Sequence, residues 1–254
     1  MTSMKDVYRT PEMVARYRWM AAQGLTSPET FCLSLVPASN RGSVLDIGIG
    51  GGRTTGPLSE MFGGYVGVDY SEEMVEAAKS LFPSADLRTM DARNLQFDRR
   101  FDCVMFSFNG IDSVAYADRE VILQQIAGVL PAGGYFIYST HNINYPRVAS
   151  WLNSFFVKEL FQAWPRIPAI VRSLINRSRK YRQQSCDDGI FAVVNDNGAE
   201  FGYLNGYVDV DREIKEVLPR NGFRVITTIG NTKQSTGYGP EDSWVYIVAQ
   251  STKV

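Results

Sequence analysis

The stretch VLDIGIGGGRT, residues 44–54, decides the fold that we expect for this chain. Its first four residues are apolar apart from Asp46, which is typical of a buried parallel strand. Glycines at positions 48, 50 and 52 permit a tight turn and let a ligand approach the bare backbone. A helix that follows such a loop directs its unpaired N–H groups toward the ligand. The stretch therefore predicts a strand, a glycine-rich binding loop and a helix.

A second acidic residue supports the prediction that a ligand binds at this loop. Asp69 ends the next apolar run, 65–68. It lies about 20 residues beyond the glycines, the spacing at which a carboxylate bonds ribose hydroxyls. Together the two features predict a nucleoside ligand. The alternative is a tight strand–helix turn and a helix cap that bind nothing.

Five successive segments resemble the motifs of class I S-adenosylmethionine-dependent methyltransferases, namely residues 44–54, 67–71, 91–92, 101–106 and 130–134. The resemblance covers about residues 40–140 and implies S-adenosylmethionine as the cofactor. Gly56 and Pro57 depart from it, because both residues are poor in a helix interior. They predict that the helix after the loop is short or kinked.

The resemblance also implies roles for individual residues. Asp46 suits the positively charged amino end of S-adenosylmethionine, Asp91 and Ala92 would meet its adenine, and Tyr70 and Met74 would pack on the ribose and ring faces. The predicted cofactor-binding residues are Asp46, Gly48, Gly50, Gly52, Asp69, Tyr70, Met74, Asp91, Ala92 and Ser107. A surface cap or a core methionine is the other interpretation of Tyr70, Met74, Asp91 and Ala92.

Two other classes of protein remain open at this stage. An NAD-dependent oxidoreductase also uses a glycine-rich loop, although its fingerprint usually has an apolar residue where Asp46 stands. A non-catalytic nucleoside-binding protein would bind the cofactor and transfer nothing. Binding of NAD in place of S-adenosylmethionine would identify an oxidoreductase. Cofactor binding without methyl transfer would identify a non-catalytic nucleoside-binding protein.

The composition and the charge of the sequence narrow the class of protein, its partners and its cellular compartment. The 254 residues, 44% hydrophobic and 21% charged, are ordinary for a soluble globular protein, and the net charge of −1 gives no general attraction to nucleic acid. Three distant cysteines predict reduced thiols in the cytoplasm. A single histidine argues against a His-rich metal site. No apolar run is long enough to span a membrane.

The chain order predicts one α/β domain over residues 1–254. Residues 41–140 alternate strand and helix patterns, which predicts a parallel sheet with right-handed crossovers. We expect a Rossmann-like, mostly parallel seven-stranded sheet with helices on both faces. Around the cofactor-binding core at 41–140 lie an N-terminal helical cap at 1–40, an inserted helical lid at 141–190, and a hairpin, helix and closing strands at 191–254.

Several residues mark predicted helix starts. Thr10 and Ser27 are each followed by a proline and a glutamate, which is typical of an N-cap and the first helical turn. Ser71, Asp118 and either Asp209 or Asp211 predict three further starts.

Catalytic candidates lie where the parallel strands end, since ligands bind beyond that edge of such sheets. His141 follows one strand, and its ordinary pKa near ~6.5 suits a general base for a hydroxyl acceptor. A histidine with satisfied hydrogen bonds is the other interpretation. Asn109 and Asp112 follow another strand and either orient an acceptor or form an Asx turn.

The N-terminal segment supplies two further candidates. In the family that the chain resembles, this segment covers the cofactor and acceptor pocket, which brings Tyr8 and Tyr17 within reach of it. Packing aromatics with a hydrated hydroxyl are the other interpretation.

The predicted lid carries an aromatic stripe and a net positive charge. Eight Lys and Arg residues against one acid between Arg147 and Arg182 give this segment a charge of +7, against −8 for the remainder. This asymmetry suits an anionic small-molecule acceptor such as a sugar, nucleotide-sugar or natural-product intermediate. A solvated helix face that balances the acidic remainder explains it equally. The acceptor, its hydroxyl or amine group and the oligomeric state are not fixed by the sequence.

Overall fold

The computed structural model describes residues 9–149, 175, 183–195, 204–233 and 235–253. Tyr8 and most of the predicted lid, with its aromatic residues Trp151, Phe155 and Trp164, lie outside the described residues. In the described part of the chain, no helix combines the length and the hydropathy that crossing a bilayer requires.

Ten strands of the described chain form one sheet. In chain order they are β1 Val44–Ile47, β2 Tyr65–Asp69, β3 Asp86–Thr89, β4 Cys103–Phe106, β5 Tyr135–Asn142, β6 Ser185–Asp187, β7 Phe191–Val194, β8 Asn205–Val208, β9 Phe223–Gly230 and β10 Trp244–Ser251.

Seven of these strands build the predicted sheet, in the order β3-β2-β1-β4-β5-β10-β9. Neighbours among β1 to β5 are parallel. By contrast, β10 runs antiparallel to both β5 and β9. The Rossmann-like, mostly parallel sheet and its closing antiparallel pair are therefore confirmed.

Three strands join the predicted seven beyond the carboxyl end of β4. The predicted hairpin forms, with β7 antiparallel to β8, and β6 adds an unpredicted strand to β7. His141 and Asn142 at the end of β5 pair in parallel with Tyr207 and Val208 of β8. Because β10 occupies the other side of β5, β8 lies on the same side as β4. These three added strands bring residues from the last quarter of the chain to the predicted site.

Six α-helices lie in the described part of the chain. They are α1 Pro11–Ala21, α2 Ser27–Ser34, α3 Thr55–Met61, α4 Glu72–Leu81, α5 Tyr116–Val129, and α6, in which Val210–Arg212 continues through a π turn, Glu213–Val217, into Leu218–Arg220. Thr10, Ser71 and Asp209 are N-caps as predicted. With seven residues, α3 is short, as the glycine and proline at its start predict.

Two predicted caps are wrong by a small shift. Thr26, not Ser27, caps α2, because its hydroxyl accepts the N–H of Glu29 while the Glu29 carboxylate accepts the N–H of Thr26. This capping box makes Ser27 the first helical residue. Similarly, α5 begins at Tyr116, and Asp118 lies in its first turn instead of capping it.

Helices cover both faces of the sheet. On one face, Ile122, Leu123 and Ile126 of α5 are buried in the larger core cluster. On the other face, Leu33 of α2 and Leu58 of α3 are buried against the opposite sides of the same strands. The sheet is thus a middle layer whose strand ends are held in fixed relative positions.

The packing of α5 generates a stability prediction. Leu123→Ala should lower the free energy of unfolding by about 2–5 kcal/mol, since it leaves a cavity in a closely packed core. Val121 lies on the same helix and is 41% exposed, so Val121→Ala is the matched control and should change stability by no more than ~0.5 kcal/mol. Urea denaturation followed by circular dichroism measures both. Equal effects of the two substitutions would contradict the assigned face of α5.

Candidate active site

The candidate site lies at the carboxyl ends of β1, β2, β4 and β5. The chain order reverses at β1, which has β2 on one side and β4 on the other. In open α/β sheets a ligand crevice forms at this kind of switch point. The glycine-rich loop leaves β1 at this position.

The glycine loop needs its glycines for two reasons. Gly48, Gly50 and Gly52 have φ values of 70°, 53° and 93°, a left-handed conformation that other residues rarely adopt. A Cβ at Gly50 would also lie 2.6 Å from the ring of Tyr17. Helix α1 therefore packs directly on the loop, which places Tyr17 beside the site as predicted for the N-terminal segment.

Asp69 closes the glycine loop onto the end of β2. Its Oδ2 accepts the N–H of Gly50 at 2.9 Å, and its Oδ1 accepts the N–H of Ser71 at 2.9 Å. Burial raises the pKa of Asp69 to about 6, against the opposing effect of these backbone donors. The backbone N–H of Tyr70 acts on the same carboxylate, which keeps part of its accepting capacity for a ligand hydroxyl.

Asp46 lies beneath the loop, where it is almost fully buried. Its Oδ2 accepts hydrogen bonds from the hydroxyls of Thr54 at 2.6 Å and Tyr65 at 2.9 Å. Burial raises its pKa to about 7, and the two hydroxyl donors offset part of that effect. Asp46 and Gly48 line a small recess next to the main cavity.

The main cavity encloses about 340 Å³ in front of Asp69. Eight of the predicted cofactor-binding residues line it, namely Gly48, Gly50, Asp69, Tyr70, Met74, Asp91, Ala92 and Ser107, and Tyr17 lines it too. Asp46 belongs to the neighbouring recess, while Gly52 supports the turn. The structure therefore gathers nearly all of the predicted residues around one space.

Asp91 has a partner that the sequence analysis did not consider. Its carboxylate binds the Arg93 guanidinium at 2.7 Å, and Arg93 also reaches Asp118 of α5 at 2.9 Å. All three residues line the cavity. This chain of charges joins the loop after β3 to the start of α5, at the side of the cavity predicted for adenine.

A buried ion pair holds α2 against the loop and was missed by the sequence analysis. The Arg53 guanidinium donates to both carboxylate oxygens of Glu29, each at 2.6 Å, and Ser107 donates to the same carboxylate. Although burial acts in the opposite direction, the guanidinium keeps the pKa of Glu29 below its usual value. The capping pattern at Thr26 and Glu29 could have been recognised, but the long-range partner Arg53 could not.

His141 is held by its ring nitrogens and by its ring faces. Its Nδ1 lies 2.8 Å from Asp112 Oδ2, and its Nε2 lies 3.2 Å from Asn109 Nδ2. The ring stacks on Tyr207 with centroids 4.5 Å apart and meets the edge of Trp244. The structure thus brings His141 and Asn109 together, although neither lines the main cavity.

Asp112 belongs to a larger buried charge cluster. Arg119 donates to Asp112 and, at 2.9 Å, to Glu213, which also accepts the hydroxyl of Tyr138 at 3.0 Å. Burial would lower the pKa of Arg119, but the two carboxylates raise it well above its usual range. The cluster ties the loop after β4 to α5 and α6.

The roles of the predicted catalytic residues stay predictions. The structure places Tyr17 on the glycine loop and His141 in a satisfied hydrogen-bond network, which favours a positioning role over that of a free base. Tyr8 lies outside the described residues.

Comparison with known proteins agrees with this geometry. Residues 44–134 match the family model described as a methyltransferase domain. The chain is 34% identical over 84 residues to a protein of Invertebrate iridescent virus 6 named as methyltransferase 235L, which covers 32% of this chain and 31% of that protein. It is 33% identical over 93 residues to a Streptomyces fradiae dTDP-3-amino-3,6-dideoxy-alpha-D-glucopyranose N,N-dimethyltransferase, which covers 36% of each.

A solved structure extends the likeness over the whole fold. An S-adenosylmethionine-dependent methyltransferase from Clostridium acetobutylicum superposes with a TM-score of 0.63 at 15% identity, covering 95% of this chain and 98% of the other. The match of residues 44–134 to the methyltransferase family model confirms the predicted resemblance to class I methyltransferases, and the solved structure shows the same fold. The matched segments span about a third of the length of the curated relatives.

The contacts of Asp69 generate a binding prediction. Asp69→Ala should raise the Kd for S-adenosylhomocysteine by roughly ten- to a hundredfold, because loss of a charge-assisted hydrogen bond costs about 1.5–3 kcal/mol. Titration calorimetry measures the change. Asp86→Ala, which removes an exposed carboxylate paired with Arg88 at the start of β3, is the control and should leave Kd unchanged. An unaltered Kd for Asp69→Ala would contradict the role.

Burial of Asp46 generates a pH prediction. Between its ordinary pKa and about 7, the folded chain holds a proton on Asp46 that the unfolded chain has released. The contribution of Asp46 to the free energy of unfolding is therefore fully present at low pH, and it is lost as the pH rises through about 7. Asp46→Asn should gain stability relative to the wild type from pH 4 to pH 7, as measured by urea denaturation.

A second variant provides the control for that measurement. Thr54→Val removes a hydroxyl donor to the carboxylate but leaves the titrating group in place. The dependence on pH should persist or grow in this variant, because the lost donor favours the ionised form. Parallel stability curves for the wild type and Asp46→Asn would show that Asp46 does not titrate in this range.

Proposed function

We propose that this protein transfers a methyl group from S-adenosylmethionine to a hydroxyl or amine of a small-molecule acceptor. The observation that carries the proposal is the 340 Å³ cavity between the glycine loop and Asp69, at the switch point of the sheet. Its position and its carboxylate suit a nucleoside whose ribose faces β2. The methyltransferase domain at residues 44–134 supports the same assignment.

The chemistry of the lining residues fits an adenosyl group. Asp69 offers carboxylate lone pairs to two hydroxyls, while Ile47, Met74 and Ile122 give apolar walls for a flat ring. Asp91 would accept from the exocyclic amine of adenine once its contact with Arg93 is rearranged or shared. Asp46, in the adjoining recess, would face the amino end.

The protein's own contribution to such a reaction is mainly positioning. When bound, the cofactor supplies a methyl group on a sulfonium, which is already a good leaving group. Holding two reactants in attack geometry contributes about 7–11 kcal/mol toward the barrier. In this proposal the left-handed glycines, the Asp69 contacts and the Glu29–Arg53 pair would hold the cofactor, and the loop after β4 would hold the acceptor.

For the acceptor we propose a sugar, nucleotide-sugar or related natural-product intermediate. One curated relative carries the name of an N,N-dimethyltransferase of a dTDP-linked amino sugar, which supports an acceptor of this kind. The +7 charge of residues 147–182 supports an anionic group on it. In this proposal residues 1–254 act as one domain.

The test of this function begins with binding and ends with transfer. The full chain should bind S-adenosylmethionine and S-adenosylhomocysteine in titration calorimetry, with no comparable heat from NAD. With nucleotide-linked sugars that carry amines or hydroxyls, it should form S-adenosylhomocysteine and a product heavier by one methyl group in mass spectrometry. Tight NAD binding without S-adenosylmethionine binding would refute the proposal, whereas cofactor binding without transfer to any acceptor would favour a non-catalytic nucleoside-binding protein.

A further inference from the structure

The loop after β3 carries a carboxylate that a neighbouring residue already occupies. Asp91 Oδ1 accepts the backbone N–H of Arg93 at 2.9 Å and the side-chain Nε–H of Arg93 at 3.1 Å. Asp91 Oδ2 accepts from the same guanidinium, through Nη2 at 2.7 Å and Nε at 3.2 Å. An ionised carboxyl group has about four lone-pair sites. Asp91 lines the cavity, but these contacts leave its carboxylate little capacity for a ligand amine.

Arg93 connects this loop to the start of α5. Its Nη1 donates to Asp118 Oδ2 at 2.9 Å. Met90, the residue before Asp91, donates its backbone N–H to the carbonyl oxygen of Asp69 at 2.9 Å. The connection therefore begins beside the residue proposed to bind the ribose and ends on α5. All five of these residues line the main cavity.

Asp118 has the accepting capacity that Asp91 lacks. In the described part of the chain, the side-chain donor to Asp118 is Arg93 Nη1, and it uses Oδ2. No donor from the described residues is placed on Oδ1. The Asp118 side chain is 35% exposed, so a ligand in the cavity can reach this oxygen.

An apolar wall lies beside the Asp118 carboxylate. Ile122 follows Asp118 by four residues on α5, and residues with this spacing share one face of a helix. Val114 and Ala115, just before the helix, line the cavity together with Asp118 and Ile122. A flat base that packs on these apolar side chains therefore has a carboxylate near its edge. Adenine carries an amine on its edge, and an ionised carboxylate can only accept hydrogen bonds.

We infer that Asp118 accepts the exocyclic amine of adenine and determines the preference of the site for this base. The inference rests on the proposed function, because it takes the cofactor of that function as the ligand. It replaces the adenine contact that the sequence resemblance implies for Asp91. Asp91 is left as the partner of Arg93.

The count of hydrogen bonds favours Asp118 over Asp91. An amine that bound Asp91 would have to displace a donor of Arg93 from a carboxylate that already accepts from it at both oxygens. At Asp118 the same amine would use Oδ1, and the contact of Arg93 with Oδ2 would remain. Binding at Asp118 therefore adds a charge-assisted hydrogen bond without the loss of another.

The experiment compares two ligands that differ only in the amine. The probes are S-adenosylhomocysteine and its purine analogue, in which a hydrogen atom replaces the 6-amino group. Each is titrated into the full chain by calorimetry. The wild type should bind the purine analogue with a Kd about tenfold higher, as expected for the loss of one hydrogen bond to a partly exposed carboxylate. The ratio of the two Kd values isolates the amine, because the ligands share their other groups.

Two variants separate the two carboxylates. Asp118→Ala should bring the ratio of Kd values close to one, because the amine then has no carboxylate partner. Asp91→Ala should leave the ratio at about tenfold, because this substitution removes a partner of Arg93 and not the acceptor of the amine. Any loss of affinity in Asp91→Ala should therefore affect both ligands equally.

Glu120→Ala is the matched control. Glu120 lies two residues beyond Asp118 on α5, and its carboxylate also pairs with an arginine, Arg220, at the surface. Because Glu120 does not line the cavity, this substitution should change neither Kd.

Each outcome decides between the two carboxylates or refutes an earlier step. A ratio near one for the wild type would overturn the inference, because no carboxylate would then bind the amine. A ratio that persists in Asp118→Ala, or that falls to one in Asp91→Ala, would also overturn it. A wild type that binds neither ligand would instead refute the proposed function, and the inference with it.

Discussion

The hydrogen bond from the Gly50 N–H to Asp69 Oδ2 is the contact on which the site depends. It joins the loop after β1 to the end of β2 across the middle of the sheet, and it requires the left-handed glycines at 48, 50 and 52. With no side chain at Gly50, Tyr17 of α1 can lie against the same loop. One backbone constraint therefore sets the shape of the cavity, the direction of the Asp69 carboxylate and the position of the N-terminal helix.

Two buried charge clusters extend this arrangement to distant parts of the chain. The Glu29–Arg53 pair connects α2 to the glycine loop, and Arg119 connects the loop after β4 to Glu213 of α6. Buried ion pairs give little net stability, because desolvation offsets their attraction, but removing one partner leaves a costly unpaired charge. We interpret their contribution as positional: each holds a segment far away in sequence at one place beside the cavity.

The fold and the site differ in how far the sequence predicts them. Apolar runs and glycines predict β1 to β5 and the place of Asp69, because strand burial and left-handed turns depend on local residue types. The partners of Arg53 and His141 depend instead on contacts across 24 and 29 residues, for which no local pattern exists. The short β6 has three exposed residues and no apolar alternation, so its pairing with β7 could not be anticipated. The cap of α2 is Thr26 instead of Ser27 because two polar residues stand side by side, and the cap of α5 is Ala115, which makes no side-chain cap hydrogen bond that a sequence pattern could indicate.

The physical demands of the proposed reaction favour a site built for positioning. A methyl group on a sulfonium needs an aligned lone pair more than it needs proton removal, so rigidity is more useful than a group free to titrate. His141 illustrates the distinction, since Asp112, Asn109, Tyr207 and Trp244 restrain its ring from every described side. These contacts hold the His141 ring in one position beside the Asn109 amide. Asp112, deep in the core, therefore fixes His141 at the strand end through its contacts with the ring and with the backbone N–H.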